Sequence, residues 1–385
     1  MLDQKEIQRG SKKDRLSEPV RKIGFREILV IKPSSLGDIL HALPAVGAIR
    51  KRFSEAHISW LVKPEWAELL KGHPYIDEVI SSPFSWGGLP ALIGSVRKRP
   101  FDLVIDLQGL LRSALLGFLT PAPFRVGFAE GREGAPWFYT DQVGVPGGVE
   151  HAVDRYRRVA RALGGVLQEV DFGLAPSAEA VVSVNRLMEE IGLAGPARFA
   201  LIHPTARWDS KKWPGERFAE LGDWLVEEKK MPLIFIGSQG EREEVGRILS
   251  MMKQPASSIA GRTSLLETAE VIKRGQFFIC NDSGPMHLAV AMGTPVFALF
   301  GPTDPDQVGP YGAGHTVIQK KIDCAGCGRN RCVRENQCMK GISTEEVIEA
   351  IDKKWGPGVR GQGSGKNFIS SGPRPLNLLG GIDGD

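Results

Sequence analysis

The chain has 385 residues, 42% of them hydrophobic and 24% charged, with a net charge of +4 from 49 basic and 45 acidic side chains. That length exceeds one ordinary core and predicts two domains, at roughly 150 residues each. The near-balance of charge gives no argument for nucleic-acid binding, whose proteins usually carry a strongly basic domain or face, and leaves a local basic patch open; no apolar run approaches the roughly 18 residues that a membrane helix requires.

Residues 1–22 are charged and aperiodic, carry no apolar signal-peptide segment and are predicted to be a disordered extension. A first domain, 23–180, opens on the apolar run Ile28–Ile31, a predicted buried parallel strand. It breaks at Lys32-Pro-Ser-Ser-Leu-Gly-Asp38 and passes into a helix from Ile39 to about Phe53. Strands at His57–Val62, Glu78–Ser81 and Leu103–Leu107 alternate with helices at Pro64–Lys71, Leu89–Arg97 and Leu110–Leu119, and a charged helix spans His151–Leu163. The second domain, 181–355, is predicted to hold strands at Ala200–His203, Pro232–Gly237, Phe277–Cys280 and Val296–Phe300. Its helices are expected at Gly215–Glu228, Glu241–Met252, Ser264–Arg274 and Ser283–Met292. The Gly- and Pro-rich stretch 356–385 reads as a flexible tail. Strands alternating with helices of this length call for parallel sheets covered on both faces. The expected class is therefore α/β, with two Rossmann-like doubly wound domains facing a central cleft. In such folds ligands lie beyond the carboxyl ends of the strands.

Loops of that kind carry the candidate chemistry. Lys32–Asp38 is small, polar and glycine-containing, and offers backbone N–H groups and hydroxyls to an anion at a helix N-terminus. Its carboxylate, Asp38, serves equally well as a helix cap. His203-Pro-Thr-Ala-Arg-Trp-Asp-Ser-Lys-Lys-Trp213 sets a hydroxyl, a guanidinium and two ammonium groups where a diphosphate could be held. Cys280-Asn-Asp-Ser-Gly-Pro-Met-His287 starts a helix at Asp282 and Ser283 and puts His287 one turn along it, a position that also suits a packed, hydrogen-bonded histidine. Asp304-Pro-Asp306 spells a metal-binding Asp-x-Asp, but two aspartates around a proline are ordinary turn chemistry.

The five cysteines make no disulfide scaffold and suit a reducing cytoplasm. Four of them, Cys324, Cys327, Cys332 and Cys338, match the ligand count of a tetrahedral zinc site but not its usual spacing, so a reduced loop is the competing reading. The basic residues Arg97, Lys98, Arg99, Arg112, Arg132 and Arg155 are candidates to grip an acidic acceptor or an anionic membrane surface, with a plain solvated face as the alternative for the first three. No G-x-G-x-x-G spacing follows the first strand, which weighs against a dinucleotide oxidoreductase.

Taken in order, Lys32-Pro-Ser-Ser-Leu-Gly-Asp-Ile-Leu-His-Ala-Leu-Pro44, Asp102-Leu-Val-Ile-Asp-Leu-Gln-Gly109, His203-Pro-Thr205, Lys211-Lys-Trp-Pro214, Asn281–His287 and Phe300-Gly-Pro-Thr-Asp-Pro305 resemble the motifs of glycosyltransferase family 9, the lipopolysaccharide heptosyltransferases. The likeness covers about residues 26–355. Ser34–His41, Gly131-Arg-Glu133 and His151–Arg155 are similar to members that add the first heptose to Kdo-lipid A, whereas the cysteine pattern is more similar to second-heptose members.

The resemblance implies a GT-B fold, with the acceptor on the first domain and the nucleotide sugar on the second. It implies an inverting, metal-independent transfer from ADP-L-glycero-D-manno-heptose to the Kdo-lipid A core, with no cofactor beyond the donor. Asp38 would be the base. Ser35, Gly37, Thr205, Lys211, Asp282, Ser283, Gly284 and His287 would surround the donor, with Lys211, Thr205 and Ser283–Gly284 on its diphosphate. Arg97, Lys98, Arg99, Arg112, Arg132, His151 and Arg155 would surround the acceptor. The protein would be cytoplasmic, peripheral on the inner face of the cytoplasmic membrane. Competing readings are a relative with another acceptor or nucleotide sugar, and a non-catalytic nucleotide- or lipopolysaccharide-binding module that yields no product with any donor.

Overall fold

The computed structural model describes residues 14–355 apart from 168 and 196–197. Residues 1–13 and the expected tail 356–385 lie outside the described residues. The chain builds two parallel sheets of six strands each. The first contains β1 (Glu27–Ile31), β2 (His57–Val62), β3 (Glu78–Ser81), β4 (Leu103–Asp106), β5 (Phe124–Phe128) and β6 (Asp141–Val143), in the order β3-β2-β1-β4-β5-β6. The second contains β7 (Ala200–His203), β8 (Leu233–Phe235), β9 (Ser257–Ser258), β10 (Phe277–Asn281), β11 (Val296–Phe300) and β12 (Thr316–Gln319), in the order β12-β11-β10-β7-β8-β9. Numbered within its own sheet, each runs 3-2-1-4-5-6 or its reverse. One doubly wound topology thus occurs twice without a repeated sequence, and the order reverses beside β1 and β4 in one half and beside β7 and β10 in the other.

Helices of at least eight residues are α1 (Leu36–Arg52), α2 (Leu89–Val96), α3 (Leu111–Phe118), α4 (Ala152–Ala162), α5 (Ala178–Glu190), α6 (Gly215–Glu227), α7 (Arg242–Met251), α8 (Leu265–Arg274), α9 (Gly284–Ala291) and α10 (Thr344–Trp355). The central strands such as β1 and β11 are apolar because helices cover both faces, and their side chains alternate between two layers. In β1, Ile28 and Val30 join one core while Leu29 and Ile31 join another, under α2 and α3. The Ile28–Val30 core continues into Leu201, Phe278, Met286 and Ala298 of the second half, so the halves meet through shared apolar contact as well as polar loops.

Part of the expected disordered extension is ordered. Arg15 bridges Gln142 beside β6, the Asp141 carboxylate accepts from the Ser17 N–H at 2.6 Å, and the Asp14 carboxylate accepts from the Gly144 N–H at 2.7 Å. A short helix then runs over Glu18–Lys22 with Val20 fully buried. These contacts cover an edge strand that would otherwise expose unpaired backbone. Helix α5 runs across the boundary expected at residue 180 and packs on α8, so the chain crosses between halves before Ala178. Strands β5, β6, β9 and β12 went unpredicted. They are short, and Arg125, Gly127 and Gln142 interrupt their apolar pattern.

Candidate active site

Asp38 lies in the first turn of α1, just past the carboxyl end of β1. Its Oδ2 accepts from the Ser35 backbone N–H at 3.1 Å and from the Ser35 hydroxyl at 2.8 Å, and its Oδ1 accepts from the Tyr156 hydroxyl at 3.2 Å. The Lys32 ammonium stands 3.8 Å from Oδ1, and the Asp38 side chain remains 43% exposed. Burial pushes its pKa up, but Lys32, Ser35 and Tyr156 together outweigh that and hold the carboxyl below its ordinary value. Asp38 is therefore an oriented carboxylate that stays ionised.

Lys32 is itself buried, and burial lowers its pKa despite Asp38. Its ammonium donates to Gln108 Oε1 at 3.1 Å and lies 5.4 Å from the Tyr156 ring centroid. Gln108 is fixed in turn by Asp106 at the end of β4. That buried carboxylate accepts from the Gln108 and Gly109 N–H groups at 2.9 and 3.1 Å, from Ser113 Oγ at 2.8 Å and from the Tyr139 hydroxyl at 2.7 Å. The loops after β1 and β4 thus stiffen each other around Asp38.

In the second half, Lys211 Nζ donates to Asp282 Oδ2 at 2.6 Å and sits 4.5 Å from the Trp208 ring centroid. The Thr303 hydroxyl donates to the same Asp282 oxygen at 2.6 Å. Asn281, the last residue of β10, pins the lysine loop: its Oδ1 accepts from the Trp213 N–H at 3.1 Å and its amide donates to Pro204 O at 2.7 Å. A second chain of contacts links Ser283 Oγ to His203 Nδ1 (3.1 Å), His203 Nε2 to Thr205 Oγ1 (3.0 Å), and Thr205 Oγ1 to Glu241. Because the Thr205 hydroxyl donates to Glu241, His203 donates through Nε2 and accepts from Ser283 through Nδ1. Burial alone would raise the pKa of Glu241, but His203 and Thr205 bring it well below the carboxylate range.

The halves meet at three histidines. His41 Nε2 faces His287 Nδ1 at 2.9 Å, and both rings are buried. The His151 ring stands edge-on to His41 at 5.5 Å and tilted against Tyr311 at 4.9 Å. His151 Nδ1 accepts from the Val153 N–H at 3.1 Å, and Nε2 donates to Gly309 O at 3.0 Å. Both Asp38 and Lys211 lie within electrostatic reach of His287, as do Asp282 and His151. One imidazole thus feels both the carboxylate of one half and the cation of the other.

Burial lowers the pKa of all three rings, that of His287 to about 4. The charges facing them do not reverse this: Lys32 opposes protonation of His41, Asp154 and Asp306 favour it at His151, and Asp282 and Asp38 favour it at His287 against Lys211. The unfolded chain then binds more protons in acid. Stability from these rings is complete above the ordinary histidine value of 6.5 and is lost as the pH falls from there toward about 4. His287 alone contributes on the order of 3 kcal/mol across that window. We expect the thermal midpoint to fall on acidification through this range and His287→Gln to flatten the fall; an unchanged slope in that variant would remove the histidines as its cause.

Several of the expected contact residues are engaged within the protein. Ser35 directs both its N–H and its hydroxyl to Asp38 and so positions the carboxylate. Gly37 is a packing residue, since a Cβ there would lie 2.6 Å from His287 Cδ2. Gly284 answers it across the junction, where a Cβ would lie 2.9 Å from Leu36 Cδ2. His287 is the buried partner of His41, Thr205 is committed to His203 and Glu241, and His151 has both nitrogens engaged. Because His287 is held on two sides, Gly37→Ala is expected to cost about 1–3 kcal/mol by overpacking. Thermal unfolding measures it, and an unshifted midpoint would show that the junction yields freely.

Arg97, Lys98 and Arg99 follow α2, which returns from the carboxyl end of β3 to the amino end of β4. They lie at the opposite end of the sheet from Asp38, and Arg99 is paired with Glu78 at the start of β3. Arg112, Arg132 and Arg155 do lie at the carboxyl ends. Arg112 donates to Phe84 O at 2.8 Å, and Arg155 pairs with Glu130 at 3.2 Å over the Phe128 ring. Both Arg132 and Arg155 depress the pKa of Lys32, which places their charge beside the Asp38 network. Sequence reasoning missed Tyr156, Lys32, His41 and Thr303 as site residues. Lys32 and His41 stood inside a quoted motif, and Tyr156 next to one.

The four cysteines line one cavity of about 240 Å³ with Ser210 and Arg329, and all are free thiols. Among the described residues no three side chains are grouped to hold a metal ion. Asp304 caps the short helix Pro305–Val308, with Oδ1 accepting from the Asp306 N–H at 2.9 Å and Oδ2 from Gln307 at 2.8 Å, as turn chemistry predicts.

Comparison with known proteins agrees with this fold. The model of glycosyltransferase family 9 (heptosyltransferase) matches residues 90–337. Lipopolysaccharide heptosyltransferase 1 of Pseudomonas aeruginosa is 29% identical over 343 residues, covering 85% of this chain and 91% of that protein. Lipopolysaccharide heptosyltransferase 2 of Salmonella typhimurium is 28% identical over 309 residues, covering 76% and 88%. Among solved structures, the Escherichia coli ADP-heptose lipopolysaccharide heptosyltransferase II superposes with a TM-score of 0.71 at 25% identity, covering 85% of this chain and 98% of that one.

Proposed function

Since the chain belongs to glycosyltransferase family 9, we propose that it transfers heptose from ADP-L-glycero-D-manno-heptose to the Kdo-lipid A inner core of lipopolysaccharide. Asp38 removes the proton from an acceptor hydroxyl, whose oxygen attacks the anomeric carbon with inversion while the bond to the ADP oxygen breaks. Negative charge then grows on the diphosphate. Lys211 and the N-terminal N–H groups of α9 receive it. Lys211 must turn from Asp282 toward the phosphates, and Thr303 keeps Asp282 hydrogen-bonded as it does so. Arg112, Arg132 and Arg155 meet the acceptor's carboxylates and phosphates. No metal is needed in this scheme. The enzyme works as a cytoplasmic protein peripheral to the inner face of the membrane that carries its acceptor.

The observation that supports this reading is the His41–His287 contact at 2.9 Å, which joins the helix carrying Asp38 to the helix that begins just after Asp282, the partner of Lys211. The cysteine-bearing segment and the likeness to a heptosyltransferase 2 support a second reading, in which the acceptor already holds one heptose. The test is a panel of ADP-, GDP- and UDP-linked sugars against Kdo2-lipid A and its heptosylated product. ADP-heptose should give product with the first acceptor only. Product with the second alone selects the other reading, and product from a GDP or UDP sugar overturns the donor assignment.

A further inference from the structure

The outer face of α2 and α3 is unlike the rest of the surface. Helix α3 buries Ser113, Ala114, Leu116 and Gly117 against the sheet, yet its other side carries Leu111, Leu115, Phe118 and Leu119, all partly or fully exposed. Apart from Arg112 and Ser113 this helix is apolar all round, a pattern that belongs in a buried setting. Among the described residues the Ala135–Phe138 turn covers only part of it. Phe118 is 49% exposed and packs edge-on to Phe138, whose neighbour Trp137 is 88% exposed. At the other end of α3, Trp86, 59% exposed, lies 5.4 Å from Arg112. Helix α2 contains no charged residue at all.

The charge on this face has one sign. Between Phe84 and Arg125 the only carboxylates are Asp102 and Asp106. Asp102 is occupied by the Arg26 and Glu27 N–H groups and Asp106 is buried, while the exposed cations Arg97 and Lys98 close α2. Glu133, at the margin, accepts from the Leu111 N–H at 3.3 Å. Exposed tryptophan, an apolar helix side and unopposed cations form the combination that settles at the interface of an anionic bilayer.

We propose that the α2–α3 face is a docking surface for anionic phospholipid. Trp137 and Phe118 enter the interfacial layer, and Arg97 and Lys98, far from the Asp38 end of the sheet, hold the headgroups. Bound this way, the chain presents the Arg112 rim beside the membrane from which a lipid-linked acceptor reaches Asp38. The proposal rests on the reading of the acceptor as lipid-linked and names the surface that finds it.

The test is co-sedimentation of the full chain with phosphatidylethanolamine vesicles, with and without phosphatidylglycerol. Binding should require phosphatidylglycerol and weaken with salt. The double variant F118A/W137A should lower the partition about tenfold, and R97Q/K98Q should lower it about 25-fold, at about fivefold per cation, with a smaller salt dependence. Val182→Ala, exposed on α5, should change nothing. Transfer to a deacylated, water-soluble acceptor should be equal in F118A/W137A and the parent, while transfer to a vesicle-borne acceptor falls with the partition. Undiminished partition in both double variants overturns the proposal. So does a parent dimer that F118A/W137A converts to monomer without loss of vesicle binding, since the face would then join copies of the chain. Failure of the parent on the soluble acceptor strikes the function reading and leaves the vesicle result to stand or fall separately.

Discussion

Asp38→Asn is expected to lower kcat about a thousandfold while the affinity for ADP changes less than about twofold. The shape is kept, and only the charge and the proton-accepting oxygen go. The amide oxygen can still take both Ser35 donors, which forces the amide nitrogen toward Tyr156. Tyr156 must then accept instead of donate, which a hydroxyl can do. Lys32 loses its counter-ion in a buried site, and since Asp38 is nearly half exposed the cost should be only on the order of 1 kcal/mol. The pH profile gives a second readout. A carboxyl held below its ordinary value is the active base above that value and is lost only as the pH falls through it, so Asp38 adds no acid limb near neutrality. Tyr156→Phe removes one bond to the carboxylate and should move the limb upward. Full turnover in Asp38→Asn would take the base role away from residue 38. Loss of ADP binding would instead assign the residue to the donor side.

Much of this arrangement was legible in the chain. Apolar runs such as Ile28–Ile31 and Val296–Phe300 end in small polar loops, and that pattern alone places Asp38, Lys211 and Asp282 beyond strand ends, because a parallel strand buried on both faces admits few polar side chains. What escaped reading depends on distance along the chain. Tyr156 reaches Asp38 across 118 residues, and His41 meets His287 across 246. No local spacing encodes either contact. A pattern of charge also lacks direction: Arg97–Arg99 reads as one more basic patch until α2 is seen to carry it to the far end of the sheet. Ser35 and Thr205 belong to the right loops but serve their own half, and Gly37 packs across the junction on His287, because a hydroxyl or a glycine in a motif can set packing as readily as touch a ligand.

The same ambiguity attaches to Lys211, and a double variant resolves it. Lys211→Ala is expected to lower kcat/KM by about 100- to 1000-fold, the loss typical of removing one donor to a developing anion, and to weaken ADP about tenfold. It should also destabilise the free protein. Asp282 is buried and would keep only the Thr303 hydroxyl, and stripping the partner from a buried ion costs roughly 3 kcal/mol. Stability and activity therefore fall together, and the single variant alone cannot separate counter-ion from phosphate holder. Adding Asp282→Asn neutralises the stranded carboxylate, and Asn can still accept from Thr303. The thermal midpoint should then recover most of its loss. Recovery of ADP affinity along with it would make Lys211 the keeper of Asp282 and no more. Continued weak binding in a restored fold assigns the ammonium to the diphosphate. The midpoint itself reports this: ADP at about 100 times its Kd should raise parent stability by about 2.7 kcal/mol, and the double variant, given the same ADP concentration, should gain only about half of that.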